Sequence, residues 1–367
     1  PGPVQVPENV RLARSLSTTN ADLDPQFYDE YKETCELISE LLHTKNETLI
    51  LSGEGILGLE AACASMTEPG DRVLILDNGI YGAGFADFVS MYGGTPVMYT
   101  KDYKNAFDVD ELDAYLKEDH DFKYATVVHC DTPSGMLNDI HKICPLLKSY
   151  GIMTVTDSVS GMFGNEVDVD KAQIDILCGG SQKAVSAPPG LTFVTISDEA
   201  KKAMENRKTP IASFYCNLTI FKDYYKNSWF PYTMPISDIY GLKAAMDNIA
   251  ADKDLIKRHA RIANATRKAI EAFGLKLHLE SGFSDTVTVF DVPKGMTADD
   301  ILERMREKHG IMLAGSFGEL TGKVIRIGHM GASANVGDML EVMSGLEETL
   351  RSVSYTHLRA HETRHDL

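Results

Sequence analysis

The chain has 367 residues, of which 43% are hydrophobic, 24% charged and 8% aromatic. That length suits two domains, or one large domain with an appendage, and the apolar share excludes disorder as a description of the whole. Acidic residues outnumber basic ones by 53 to 36, and the net charge of −17 argues against nucleic acid or an anionic membrane as partner.

The opening PGPVQVPENV lacks a signal-peptide core, and the absent initiator Met reads as a fragment or a processed start. Residues 1–20 form an N-terminal arm. From Thr48 onward, short β-branched runs alternate with helical stretches. TLILS (48–52), RVLIL (72–76), TPVMY (95–99), ATVVH (125–129), MTVTD (153–157), DILCG (175–179) and LTFVTI (191–196) predict seven buried strands. Helices are expected over 56–66, 82–92, 108–119 and 139–150. Continuous apolar strands spaced by helices specify an α/β fold, a mostly parallel sheet covered on both faces. Over 197–240 the pattern breaks into an aromatic, Pro-containing loop, and one long helical stretch, 238–273, follows. Residues 275–352 carry strand-like TVTVFDV, helical ADDILERMREKHG and strand-like KVIRIG, a small α+β unit. The expected domains are therefore 1–245 and 246–352.

The last fifteen residues, VSYTHLRAHETRHDL, set His357, His361 and His365 four apart, a spacing that tempts a metal reading. The plainer reading is a non-native, adapter-derived tail over 353–367, and no metal site is expected. Six cysteines without a CxxC spacing predict free thiols in a reducing compartment. No apolar run approaches the ~18 residues of a membrane span, so a soluble cytoplasmic protein is expected.

In open α/β sheets ligands bind beyond the carboxyl ends of the strands. The residues there are Gly53-Glu54-Gly55, Asp77-Asn78-Gly79-Ile80-Tyr81, Asp131-Thr132-Pro133-Ser134-Gly135, Asp157-Ser158-Val159 and Ser181-Gln182-Lys183. Two ligands compete for them. Gly53, Gly55 and Gly58 form a literal GxGxxG before a helix, with Asp77 ending the next strand, which matches a dinucleotide fingerprint on paper. That reading leaves Lys183, Asp157 and Tyr81 without work. A pyridoxal site employs all three: a lysine for the Schiff base and proton transfer, a carboxylate beside the pyridine nitrogen, and a ring over the pyridine face. Taken singly, Lys183 reads as a solvated lysine and Asp157 as a helix N-cap. On successive strand ends they make a site.

The motifs SGEGILGLEAA, EPGDRVLILDNGIYG, VTDSVSG, DILCGGSQKAVSAPPG and GKVIRIGHMG resemble class V aminotransferases, the alanine–glyoxylate and serine–pyruvate group of the pyridoxal-dependent fold type I superfamily. The resemblance runs from about Gly2 to Gly345. It implies pyridoxal 5′-phosphate as cofactor, and a small-molecule amine and a 2-oxo acid as substrates. Lys183 is then the Schiff-base lysine, Asp157 pairs with the ring nitrogen, Tyr81 and Val159 face the ring, and Thr132 approaches its hydroxyl. Gly55, Ile56 and Gln182 join the cofactor site, and Arg326 grips the substrate carboxylate, for which a planar guanidinium is suited. The family also implies homodimers with sites at the subunit interface, with tetramers left open. Thr233 would reach across from the partner chain, and Phe230 matches a partner tyrosine that holds the phosphate.

Two positions depart from that pattern. Glu54 stands where a serine is usual in the phosphate cup, and Phe230 has no hydroxyl. A carboxylate beside a phosphate is costly, since charge pairs about 4 Å apart carry roughly 1–4 kcal/mol in polar surroundings. The cup thus suits unphosphorylated pyridoxal or pyridoxamine acting as substrate, as in the family's pyridoxamine–pyruvate branch, which GEGILGLEAA, DTPSG, APPGLT, FPYT and RIGHMG also resemble. Glu54 would hydrogen-bond the free hydroxymethyl group; alternatively it turns to solvent or caps the helix near Ile56. Against that branch, Phe317 replaces an arginine and Gln182 keeps the ordinary family residue. The alternative is a phosphorylated-cofactor enzyme moving an amino group from alanine or serine to glyoxylate, and a lyase on the same scaffold stays open. Cys130 reads as a buried small hydrophobe, and His129 and His329 as structural.

Overall fold

A computed structural model describes the backbone of residues 1–362 and the side chains of residues 1–352. The expected tail and its three histidines lie outside the described side chains, and residues 363–367 outside the described residues. The apolar runs form their strands within a residue or two of expectation. They are β1 (Glu47–Ser52), β2 (Arg72–Asp77), β3 (Thr95–Thr100), β4 (Tyr124–Val128), a short ladder of β5 (Cys130–Asp131) with β6 (Met136–Leu137), then β7 (Met153–Asp157), β8 (Ile176–Gly180) and β9 (Leu191–Ile196). Seven of them make one sheet in the order β1-β9-β8-β7-β4-β2-β3. Only β9 runs against the rest.

Helices Gly55–Met66, Ile80–Met91, Val109–Glu118 and Ile140–Ser149 link the strands, as the periodicity predicts. Local chemistry sets their ends. The Asp108 carboxylate accepts from the N–H groups of Asp110 and Glu111, starting the third of them. Downstream, β10 (Val287–Asp291) and β11 (Val324–Gly328) pair antiparallel in a separate two-stranded sheet. Between them, helix Ala298–His309 opens with a Thr297–Asp300 capping box and stops at Gly310, whose φ of 66° is in the left-handed region.

Three expectations need correction. The single helix over 238–273 is two, Ile236–Ala251 and Leu255–Ala272. The break is made by Asp252, whose carboxylate accepts from Asp254 N at 3.0 Å and Arg258 Nη2 at 2.6 Å. The loop expected over 197–240 contains helix Asp198–Glu205, whose N-cap is Ser197, and two short helical turns. The N-terminal region carries helix Glu8–Arg14 and then helix Pro25–Leu41, which the sequence reading did not anticipate. The second helix buries Phe27, Tyr28, Tyr31 and Ile38, and Tyr31 OH bonds both Ile50 O and Ile50 N of β1. Its apolar face is cut for this sheet.

One buried cluster fills the large sheet and its helices, running from Val10 to Ile249 and taking in Met330. A second lies between β10, β11 and the last helices, with Ile262, Phe290, Ile301, Ile325 and Leu346 at its centre. Among the described residues no helix is long and apolar enough to cross a membrane.

Helix Gly55–Met66 sits so close to β9 that a Cβ built at Gly58 runs into the Thr192 hydroxyl. That hydroxyl donates to Gly179 O at 2.6 Å. Gly58→Ala should therefore destabilise the fold by about 1–3 kcal/mol, read as a lower midpoint in denaturant, with part of the loss regained by adding Thr192→Ala. An unchanged midpoint for the single variant would mean the helix is not seated that tightly.

Candidate active site

Because β4, β7 and β8 are parallel neighbours, the segments that leave them emerge along one edge of the sheet. Asp157 ends β7 and is 5% exposed. Its carboxylate accepts one hydrogen bond among the described residues, from Val159 N to Oδ1 at 2.9 Å. Burial pushes its pKa up to about 7, with Asp131 and Glu54 adding to the shift and the Val159 N–H and Lys183 opposing it. Lys183, just beyond β8, is pulled the other way. Burial, aided by Arg326, holds its ammonium below the ordinary lysine value. An amine that exists partly as free base can act as nucleophile and proton carrier.

The Lys183 Nζ donates to Pro1 O at 3.2 Å. A Cβ built at Gly2, whose φ is +69°, would lie 2.9 Å from that Nζ, and Val4 N donates to Gln182 O at 3.1 Å. The segment from Pro1 to Val4 thus forms a wall beside the lysine, where the sequence showed only an arm. On the other side, Asp131 acts as a clasp. Its Oδ1 accepts from Tyr81 N at 2.9 Å and its Oδ2 from Ser134 Oγ at 2.6 Å. It ties the start of the Tyr81 helix to the Thr132 turn, and Gly79 leaves room for that carboxyl group. Sequence reasoning placed Asp131 at a strand end and gave it no role.

Tyr81 is half-buried; burial raises its phenol pKa, as do Asp157, Asp131 and Glu54, while Arg326 lowers it. Arg326 lies on β11, opposite Val289. Its Nε donates to Gly315 O, and its two Nη groups have no hydrogen-bond partner among the described residues. The Phe317 ring centroid is 5.7 Å from Arg326 Cζ and 6.0 Å from the Tyr81 ring.

Glu54 is the N-cap of helix Gly55–Met66: its Oε1 accepts from Ile56 N at 3.1 Å. Its Oε2 accepts from Gln182 Nε2 at 2.9 Å. The carboxylate therefore occupies the helix N-terminus itself, the place where an external anion would bind. A Cβ on Gly55 would come within 2.9 Å of both Val159 methyls, and one on Gly180 within 2.9 Å of Gln182 Oε1. Gly55, Val159, Gly180 and Gln182 make a close floor. The Ile56 side chain is 41% exposed.

Thr132 Oγ1 and Gln182 Oε1 are both buried and without a partner. Unpaired buried polar atoms cost free energy, and their grouping at one strand edge calls for a polar ligand. Together with the under-bonded Asp157 and the unpaired Arg326 fork, they fit a flat nitrogen heterocycle carrying a hydroxyl group, with a carboxylate beside it. Among the described residues no group of three His, Cys, Asp or Glu could hold a metal.

Two expected residues stand apart. Phe230, expected at the cofactor, is 4% exposed inside its own chain, stacked on Tyr28 at 4.6 Å and edge-on to Tyr31 at 4.9 Å. Its apolar ring completes an aromatic core. Thr233 is exposed and donates to Asp22 Oδ2 at 2.9 Å, away from Lys183 in this chain. The dinucleotide reading also fails. Gly53, Gly55 and Gly58 are accounted for by contacts with Leu57, Val159 and Thr192, and β1 lies at the sheet edge. Asp77 is buried and accepts from Thr100 Oγ1 at 3.0 Å and Tyr103 OH at 3.1 Å, so it is not left for a ribose. Cys130 is buried with its thiol pushed up to about 11 by burial. His129 and His329 bond Ser158 and Thr288, and burial draws both down to about 3, which keeps them neutral.

Comparison with known proteins agrees with this geometry. The chain matches the family model for aminotransferase class-V over residues 11–333. It is 33% identical to the pyridoxamine–pyruvate transaminase of Mesorhizobium japonicum, covering 91% of this chain and 86% of that protein. It is 31% identical to the alanine–glyoxylate aminotransferase of Callithrix jacchus, covering 96% and 86%. The crystal structure of pyridoxamine–pyruvate aminotransferase from Mesorhizobium loti superposes with a TM-score of 0.92 at 30% identity, over 96% of this chain and 91% of that one. With the family model matched over residues 11–333 and relatives at 31–33% identity over more than nine-tenths of its length, the chain belongs to the aminotransferase class-V family.

Proposed function

We propose that the chain transfers an amino group from pyridoxamine to pyruvate, yielding pyridoxal and alanine, with the unphosphorylated vitamin as substrate. The observation that carries this reading is Glu54, whose carboxylate already caps the helix where a cofactor phosphate would be held. A phosphate there would meet a like charge, at roughly 1–4 kcal/mol per pair. A hydroxymethyl group would meet a hydrogen-bond acceptor.

When bound, the vitamin ring supplies the electron sink that makes hydrogen on the adjacent carbon exchangeable. The chain's own groups do the rest. Asp157, buried at the floor, keeps a ring nitrogen protonated. Tyr81 and Val159 bound the ring faces, Thr132 offers its hydroxyl, and Arg326 takes the acceptor's carboxylate with its two unpaired Nη groups. Lys183 carries the proton between the vitamin's methylene carbon and the acceptor's keto carbon, a task for which its lowered pKa suits it. Homodimers with shared sites fit the exposed position of Thr233, which would then serve the partner's site. The two larger hydrophobic cores support reading the chain as two domains, 1–245 and 246–352. A second reading, alanine or serine to glyoxylate with the phosphorylated cofactor, is favoured by Phe317, which leaves Arg326 as the cation facing Tyr81.

Protein stripped of vitamin B6 should form pyridoxal from pyridoxamine and pyruvate with no phosphate present; transfer from alanine to glyoxylate that needs the phosphorylated cofactor would establish the second reading instead. Glu54→Ser should bind pyridoxal 5′-phosphate at least tenfold more tightly than the wild type by absorbance titration, and equal affinity would remove Glu54's role. Lys183→Ala should keep the fold, by circular dichroism, and lose transfer by several orders of magnitude.

Asp157 makes stability depend on pH in the vitamin-free protein. Its folded pKa of about 7 lies above the ordinary carboxyl value, so its contribution is full below about pH 4 and lost as pH rises through about 7. Asp157→Asn should flatten that fall, melting above the wild type at pH 8, and should also lose ring affinity. Parallel pH–stability curves for the two proteins would refute the assignment.

A further inference from the structure

We propose that Phe317 sets which 2-oxo acids the site accepts, admitting short apolar ones and rejecting long chains and dicarboxylates. The proposal rests on the reading that Arg326 takes the acceptor's carboxylate. Phe317 belongs to a loop that leaves the small sheet's side of the molecule and is pinned to the large one. Ser316 Oγ donates to Pro133 O at 3.1 Å, next to the unpartnered Thr132 hydroxyl. Gly318, at φ +59°, brings the backbone so near Ile80 that a Cβ would lie 3.2 Å from its Cδ1. Between these two anchors the Phe317 ring is held over the site, 5.7 Å from Arg326 Cζ and edge-on to Tyr81 at 6.0 Å and 73°.

A 2-oxo acid carries its carboxylate and its reacting carbon one bond apart. With the carboxylate on the Arg326 fork, the substituent on the far side of the keto carbon cannot lie more than a few ångströms from the same loop. The group the loop presents is an uncharged ring, which welcomes a methyl and gives a second carboxylate no partner. The surrounding charge acts in the same direction. Asp157, Asp131 and Glu54 act on Tyr81 in one direction and Arg326 in the other. A dicarboxylate would place its second charge near these acids with Arg326 already engaged and Lys183 committed to the reacting carbon. The anchors at Ser316 and Gly318 limit how far the ring can retreat, so chain length is restricted as well. Phe317 is a specificity residue here, and Ser316 a positioning residue acting through it.

The test compares wild type, Phe317→Ala and Phe317→Leu on pyruvate, 2-oxobutyrate, 2-oxovalerate and 2-oxoglutarate, all with pyridoxamine as donor. Wild type should prefer pyruvate and use 2-oxoglutarate at least a hundredfold less well. Phe317→Ala should raise the 2-oxovalerate to pyruvate ratio of kcat/KM at least tenfold, chiefly through KM, and Phe317→Leu should keep the wild-type order. A second readout needs no turnover: valerate should raise the melting temperature of vitamin-free Phe317→Ala and not of the wild type, whereas propionate should stabilise both. Unchanged acceptor ratios together with identical melting shifts would overturn the proposal, as would efficient use of 2-oxoglutarate by the wild type. If no acceptor is turned over by any protein, the transfer reading fails on its own, and the melting comparison still decides the role of Phe317.

Discussion

The site depends on one buried charge. Asp157 sits at the end of β7 with a single N–H donor, in surroundings that make its ionised form costly. Such a group is stable as a carboxylate only beside a cation, and the described residues supply none in direct contact: Lys183 is near enough to act on it electrostatically but makes its hydrogen bond to Pro1 O instead. In the proposed reading a protonated ring nitrogen would meet this need. The parallel order of β4, β7 and β8 puts the Thr132 hydroxyl and the lysine on either side of that carboxylate. The glycines at 55 and 180 give the floor its flatness, since a methyl at either would fill it.

Above this floor the electrostatics are set by where anions are already present. Glu54 satisfies the first turn of its helix and takes a bond from Gln182, so the positive end of that helix is neutralised from within the chain. Arg326 is the reverse case, a guanidinium anchored through Nε with both Nη groups unpaired. One end of the site thus refuses an external anion and the other is prepared for one. In the proposed reaction that polarity would place the acceptor's carboxylate at the Arg326 end and the vitamin's hydroxymethyl group at the Glu54 end.

Arg326 belongs to the small sheet and Lys183 to the large one, so their separation depends on the seam between two cores. Hydrogen bonds at the turn after β11 bear on it. Arg258 donates to Gly331 O and Ala334 O while pairing with Asp252. His259, kept neutral by burial that lowers its pKa to about 4, accepts from Gly331 N at 2.8 Å. Ser186, close behind Lys183, accepts from Ala332 N at 2.8 Å. The turn after β11 is therefore bonded to both helix Leu255–Ala272 and the lysine loop.

The sequence by itself determined the parallel sheet and the strand ends at which Asp157 and Lys183 stand. Those features are local: β-branched runs of fixed length and the residue that follows each. It also marked Glu54 and Phe317 as departures, because a charge or a ring in an otherwise regular motif is visible without coordinates. Only tertiary structure decided that Phe230 belongs to the aromatic core, that Asp131 clasps the Tyr81 helix, and that the first residues wall the lysine. It also separated the two meanings of GxGxxG, since a glycine near a ligand and a glycine under a threonine look alike in a sequence. Each of these is a contact between segments far apart in the chain, formed when packing brings them together, and no periodicity records it.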